Sequence, residues 1–321
     1  MRILVTGGAG FIGSHLCERL IGDGHTVTAI DNFSTGAKSN LTNLGDSDSF
    51  TLIEGSILDT NVLNPLVKEA DYVFHLAAAV GVFNIVNHPL ASLLTNIRGT
   101  ENVLEAAHSS RTPVFLTSSS EVYGKNISDS LKESDDRILG SPVTLRWSYS
   151  EAKAIDESLA YAYFIEKQLE TRIVRFFNTV GPRQLGAYGM VVPRFVKAAL
   201  ANEPITIYGD GNQTRCFAHV YDVVDAVLAI AFADNTIGKV INIGNDFEIS
   251  INDLARKITD ETGSKSEMVY VPYDEAYGDG FEDMERRVPN IDLINQLVGW
   301  KPKRDLSTMI ADISTEMKKG S

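Results

Sequence analysis

Short β-branched runs alternate with longer stretches whose apolar residues recur every three or four positions through the first half of the chain. Arg2–Thr6, Thr26–Ile30, Ser49–Ile53, Tyr72–Leu76, Val114–Thr117 and Glu170–Arg175 read as strands, while Ile12–Gly22 and Pro89–Ser109 have the period and length of crossover helices. Strand and helix in that repeating order build right-handed crossovers, so the pattern predicts an α/β protein with a doubly wound parallel sheet. Beyond Asn178 the texture changes: Gly181-Pro182, Gly186, Gly189, Pro193, Gly209 and Gly211 punctuate shorter segments, and a helical stretch follows from Tyr221. The expectation is a first domain over residues 1–178, to which residues 216–242 return, and a second, smaller α/β lobe over residues 179–321.

Composition narrows the classes. The 321 residues suffice for about two domains, and 44% hydrophobic with 22% charged residues is ordinary for a globular chain. No run approaches the roughly 18 apolar residues of a membrane span, so no membrane partner is expected. A formal charge of −13 repels nucleic acid and anionic lipid, so any phosphate must be held by local groups. Cys17 and Cys216 lie far apart without a CxxC pair, and the chain opens directly into Met1-Arg2-Ile3-Leu4-Val5, which together predict reduced thiols and a cytoplasmic protein. Six scattered histidines offer no ligand spacing, and no metal is expected.

The first chemical signal is Thr6-Gly7-Gly8-Ala9-Gly10-Phe11-Ile12-Gly13, glycines set between a strand and a helix. Such a turn lets backbone approach a pyrophosphate resting at the helix N-terminus. The second strand ends at Asp31, with Asn32 beside it, where a carboxylate accepts both ribose hydroxyls and repels a 2′-phosphate; NAD is therefore favoured over NADP. Ser56 and Ile57 follow the third strand, and Leu76, Ala77 and Ala78 the fourth, where they would flank the adenine and the pyrophosphate. His75 in the same run reads as structural.

Tyr149 and Lys153 stand four residues apart, on one face of a helix, where a nearby ammonium is expected to lower the phenol's pKa and make it a usable base. Tyr163 and Lys167 repeat the spacing, but only Tyr149 opens its helix close to Thr117-Ser118-Ser119-Ser120-Glu121, at a strand end where α/β folds present their chemistry. The second pair reads as packing and a solvated lysine.

The glycine turn, Asp31, Ser119 and Tyr149-x-x-x-Lys153 together resemble the extended short-chain dehydrogenase/reductase family that modifies nucleotide sugars, a likeness covering nearly the whole chain. It implies an NAD-binding Rossmann domain, a nucleotide-sugar-binding second lobe and a homodimer paired through Pro89–Ser109 and Tyr149–Ile165. In such a protein Tyr149 takes the proton of a C4 hydroxyl, Ser119 hydrogen-bonds the same oxygen, Lys153 tunes Tyr149 and holds the nicotinamide ribose, and hydride passes to NAD. The resemblance also implies Arg215 and Arg287 against the diphosphate, Asn178 donating from between the lobes, and Val192, Ile205 and Tyr208 around a uracil and its ribose.

The resulting 4-keto sugar can be epimerised, decarboxylated or dehydrated. Glu121, two residues after Ser119, resembles decarboxylases and 4,6-dehydratases, whereas 4-epimerases usually carry a small neutral residue there. As a pocket carboxylate it is a candidate to move a proton beside the ketone. Tyr277–Pro289, Arg146-Trp147-Ser148-Tyr149 and Arg215-Cys216-Phe217 resemble UDP-glucuronate decarboxylases, making UDP-glucuronate the leading substrate. Departures are Ser56, where the family commonly has aspartate, Leu185, where UDP-glucuronate 4-epimerases carry arginine, and Tyr188–Phe195, which reads like the epimerase and dehydratase branches. A nucleotide-sugar 4-epimerase, a 4,6-dehydratase and a non-catalytic NAD sensor remain the alternatives.

Overall fold

The computed structural model describes residues 1–45, 47–81, 85, 87–184, 186, 190–272, 275, 284 and 286–319. Leu185, Tyr188 and Gly189, and most of the Tyr277–Pro289 stretch ahead of Arg286, lie outside the described residues.

The strands are β1 (Arg2–Thr6), β2 (Thr26–Asp31), β3 (Phe50–Glu54), β4 (Tyr72–His75), β5 (Val114–Ser119), β6 (Thr171–Phe176), β7 (Thr179–Val180), β8 (Ile205–Tyr208), β9 (Thr214–Cys216), β10 (Ala218–His219), β11 (Val240–Ile243), β12 (Glu248–Ser250) and β13 (Met268–Val271). The helices are α1 (Phe11–Gly22), α2 (Thr60–Glu69), α3 (Pro89–Ser110), α4 (Trp147–Lys167), α5 (Val191–Ala201), α6 (Val220–Ala231), α7 (Ile251–Thr262), α8 (Asp292–Val298) and α9 (Leu306–Lys319).

Seven parallel strands form the main sheet in the order β3-β2-β1-β4-β5-β6-β11. The chain runs outward from β1 to β3, then returns to build the other half from β4, which is the doubly wound arrangement the sequence pattern predicts. Central β4 is buried along its whole length and β5 nearly so, because helices cover both faces; edge strand β3 is only partly buried. The reversal of strand order between β1 and β4 opens a crevice at their carboxyl ends.

Helix α6 and strand β11 pack with this sheet. Val223, Val227 and Ile230 of α6 share a core with Leu16 and Leu20 of α1, and β11 pairs with β6. Ile294 of α8 and Trp300 enter the same core, and the Trp300 indole donates to the Asp222 carbonyl at 3.0 Å, so a later segment packs there too. A separate core is built from α5, α7 and α9 around β8, with Val192, Phe195, Ile205, Leu254, Ile258 and Ile310 at its centre. Here β8 pairs with β13 and β9 with β12.

Candidate active site

A cavity of about 510 Å³ runs from the carboxyl ends of β1, β2 and β4 to the edge of the second core. Gly7, Gly10, Phe11, Ile12, Gly13, Asp31, Asn32, Ser56, Ile57, Leu76, Ala77 and Ala78 all line its first half. Gly7 adopts φ +71°, and a Cβ there would stand 2.8 Å from the Ala77 amide nitrogen; one on Gly13 would stand 2.2 Å from the Gly7 carbonyl. The turn is thus closed to side chains for steric reasons. Gly10 caps α1 without any side-chain hydrogen bond, which leaves the first-turn amides of the helix for an anion.

Asp31 ends β2 nearly buried, its Oδ2 accepting from Ala9 N at 2.9 Å and its Oδ1 from Phe33 N at 2.8 Å. Burial raises its pKa and the two amides oppose the rise. The carboxylate keeps lone pairs for a ribose diol. Asn32 Oδ1 accepts from Ser34 N and Ser56 Oγ from Leu58 N, local turns beside the cavity. These features fit a dinucleotide.

Ser119 is the last residue of β5, and its Oγ accepts from Glu121 N at 3.2 Å, starting a 3-10 turn over Ser120–Tyr123. Tyr149, in the first turn of α4, hydrogen-bonds Ser119, so the two proposed groups meet in the cavity. Lys153 follows one helical turn later, fully buried, donating to the Thr117 carbonyl at 3.1 Å and to Asp156 Oδ2 at 3.2 Å.

The expected lowering of the phenol's pKa is not what this arrangement gives. Burial pushes Tyr149 well above its ordinary value, and the charges of Glu121 and Asp156 push it further. The lysine's charge is spent on Thr117 and Asp156 instead. His75 is buried between Thr6 Oγ1 at 2.7 Å and Thr100 Oγ1 at 3.1 Å, and burial, then Lys153, lowers it to about 3; it is a neutral structural residue. Tyr163 donates to Glu105 and lies outside the cavity, as the packing reading of that pair requires.

Glu121 stands between cations. Its Oε1 accepts from Arg287 Nη1 at 2.5 Å, and its Oε2 lies 3.5 Å from Arg146 Nη2. Burial alone would raise this carboxyl, but Arg146, then Arg287 and Arg215, hold it down at about 2. It is therefore ionised at neutral pH and has no proton of its own to give. Arg146, Arg215 and Arg287 are all buried and line the cavity, so cations outnumber carboxylates here in a protein that is acidic as a whole. Arg287 Nη2 also donates to Asn178 Oδ1 at 3.1 Å, while Asn178 Nδ2 donates to the Cys216 carbonyl.

In the second lobe Val192 and Tyr208 line the cavity, but Ile205 does not. Strand β8 alternates, so Ile205 and Ile207 face the second core while Tyr208 points the other way. Ile205 is a core residue. Sequence reasoning missed Arg194, whose guanidinium stacks 4.1 Å over the Tyr208 ring, and Gln213, which donates to the Tyr208 carbonyl at 3.0 Å. It quoted Arg146 without a role, because the partner that reveals one is 25 residues earlier. Arg183, in a left-handed conformation at φ +69°, lines the cavity and reaches Ser14 Oγ and Glu18 of α1. Among the described residues no group of three or more His, Cys, Asp or Glu side chains is set to hold a metal ion.

A doubly wound sheet with this glycine turn, an acid ending β2 and a Ser–Tyr–Lys site defines an extended short-chain dehydrogenase/reductase. The model of the NAD dependent epimerase/dehydratase family matches residues 3–244, and the chain belongs to that family. It is 42% identical to the UDP-N-acetyl-alpha-D-glucosaminuronate decarboxylase of Bacillus cytotoxicus, over 94% of this chain and 92% of that one. It is 37% identical to UDP-glucuronic acid decarboxylase 1 of Xenopus tropicalis, over 94% of this chain and 68% of that one. The fold is similar to that of UDP-glucuronic acid 4-epimerase from Bacillus cereus, solved with UDP-glucuronic acid and NAD, with a TM-score of 0.90, 30% identity and all of both chains covered. The protein is an NAD-dependent enzyme acting on nucleotide sugars.

Proposed function

We propose that the enzyme oxidises a UDP-linked hexuronate at C4 and decarboxylates the 4-keto sugar, with UDP-glucuronate as the leading substrate. The observation that carries this reading is Glu121 paired to Arg287 and Arg146 beside Ser119 and Tyr149. The decarboxylases named above support it.

Bound NAD supplies the hydride acceptor and a positive charge beside the phenol. Tyr149 accepts the C4 hydroxyl proton while Ser119 hydrogen-bonds that oxygen. With C4 a ketone, the bond from C5 to the carboxylate breaks, CO₂ leaves and the bonding pair moves into the C4 enolate, to which Ser119 and the now protonated Tyr149 donate; a proton from solvent added at C5 gives the 4-keto-pentose, and return of the hydride to C4 would give the pentose. A lone guanidinium would grip the substrate carboxylate and stabilise its ground state; Glu121 occupies Arg287 and weakens that grip. Lys153 orients the nicotinamide ribose. Arg215 faces the diphosphate and Asn178, Val192 and Tyr208 the rest of the nucleotide, while Arg287, held by Glu121, lies at the reacting end.

The N-acetylated hexuronate is the second substrate, supported by the Bacillus cytotoxicus relative. A UDP-hexose 4-epimerase is weaker, since the likeness to a 4-epimerase structure comes at lower identity. A homodimer through α3 and α4 is supported by exposed Leu90, Ile155, Tyr161 and Ile165 on those helices. No helix among the described residues is long and apolar enough to cross a membrane, and Cys17 and Cys216 are free thiols, which fits a cytoplasmic setting. Supplying NAD and UDP-glucuronate and trapping evolved gas tests the reaction: CO₂ with a UDP-pentose or UDP-4-keto-pentose supports it, and an intact hexuronate rejects it.

A further inference from the structure

Strand β11 reads Val240-Ile241-Asn242-Ile243, and its one amide is fully buried in the parallel sheet. A polar side chain there costs free energy unless every group is bonded, and an aliphatic residue would serve packing better. Asn242 lies outside the cavity lining. Its Oδ1 accepts from the Tyr123 hydroxyl at 2.8 Å, and its Nδ2 donates to the carbonyls of Leu131 at 2.9 Å and Asn290 at 3.4 Å. Two carbonyls need a donor, so the amide has one orientation.

The partners are what matter. Tyr123 closes the same 3-10 turn that carries Glu121. Asn290 lies three residues after Arg287, and that segment is laid along Leu131: Leu131 N donates to the Val288 carbonyl at 2.8 Å, and Asn290 N to the Leu131 carbonyl at 2.8 Å. Pro289 is pressed against Gly244, where a Cβ would stand 2.9 Å from its ring, so the segment has little slack. One side chain thus links the Tyr123 hydroxyl, on the turn that carries Glu121, to the backbone that runs on from Arg287, behind the two members of a 2.5 Å ion pair.

We infer that Asn242 is a positioning residue for the Glu121–Arg287 pair, fixing the distance between the turn bearing the carboxylate and the segment bearing the guanidinium. This rests on the reading of that pair given under the proposed function. It extends the site to a strand with no contact to the cavity.

Asn242→Asp keeps the shape and the acceptor for Tyr123 but turns an oxygen toward two carbonyls. It should cut turnover of UDP-glucuronate on the order of 100-fold while NAD affinity stays within about twofold. The decisive readout is a double-mutant cycle with Arg287→Ala. If Asn242 acts through the pair, Asn242→Asp costs little once Arg287 is gone; if it costs the same factor in both backgrounds, it only supports the fold and the inference is overturned. Tyr123→Phe, a milder change, must show the same dependence on Arg287, and it decides the matter should Asn242→Asp not fold. If the wild type releases no CO₂, the functional reading fails on its own. The cycle is then read in UDP-glucuronate affinity by calorimetry, where coupling supports the positioning role and additivity rejects it.

Discussion

Lys153 and Asp156, three residues apart on α4, form a buried ion pair at 3.2 Å that turns the ammonium toward the helix and the Thr117 carbonyl. Asp156 is one of the charges that keep the Tyr149 phenol protonated, after burial and Glu121. Removing it by Asp156→Asn therefore lowers the phenol's pKa. A base works once deprotonated, so the acidic limb of the pH–rate profile should move to lower pH. An unmoved limb would mean that Asp156 does not set the phenol's ionisation.

Glu121 contributes stability through its arginines. Its pKa falls from 4.5 to about 2 on folding, a gap worth no more than about 3–4 kcal/mol. Because the folded value is depressed, that contribution is complete above about pH 5 and drains away as pH falls from about 4.5 to about 2. Glu121→Gln should be less stable than wild type at pH 7, since it removes the charge that Arg146 and Arg287 face, and should lose less on acidification. Urea midpoints at pH 7 and pH 3 for both proteins measure this.

Two buried histidines make a second acid-labile contribution at higher pH. Burial lowers His15 to about 4 and His75 to about 3 from 6.5. The unfolded chain binds the extra protons, so stability should begin to fall below pH 6.5 and continue down to those values, by at most about 8 kcal/mol in all. His15→Gln keeps a donor for the Pro182 carbonyl, which His15 Nε2 reaches at 3.0 Å, and should remove that residue's share of the slope. The slope is read from urea midpoints between pH 7.5 and pH 5.

Much of this was legible in the sequence, for local reasons. The glycine turn and Asp31 each announce themselves within one strand–turn–helix unit, and Tyr149 with Lys153 within one helical turn. The parallel strands were found because burial on both faces writes continuous apolar runs such as Val114–Leu116. What escaped depends on distance along the chain. Arg146 gains its meaning from Glu121, and the phenol's raised pKa comes from burial, then Glu121, then Asp156, whose pairing with Lys153 redirects the charge that the spacing alone assigned to Tyr149. Ile205 was misjudged for a different reason: in a strand, facing the cavity or the core alternates by one position, and Tyr208 took the cavity side.

That last correction is testable by contrast. Ile205→Val should cost about 0.5–1.5 kcal/mol of stability and leave KM unchanged, as a core deletion does. Tyr208→Ala removes the ring under Arg194 at the cavity wall and should raise KM for the nucleotide sugar on the order of tenfold. Melting curves and initial rates on the two variants separate core from lining; a KM effect at Ile205 would reverse the assignment.

The most direct test is mass spectrometry of UDP-glucuronate and UDP-N-acetylglucosaminuronate after incubation with NAD and either wild type or Tyr149→Phe. The account predicts that wild type converts at least one of them to a UDP-sugar lighter by the mass of CO₂, or of CO₂ and two hydrogens where the hydride stays on NAD, and that Tyr149→Phe still binds NAD but turns over about 100-fold to 10,000-fold more slowly. Unchanged uronates with wild type, or equal loss of CO₂ with the phenylalanine variant, would contradict it.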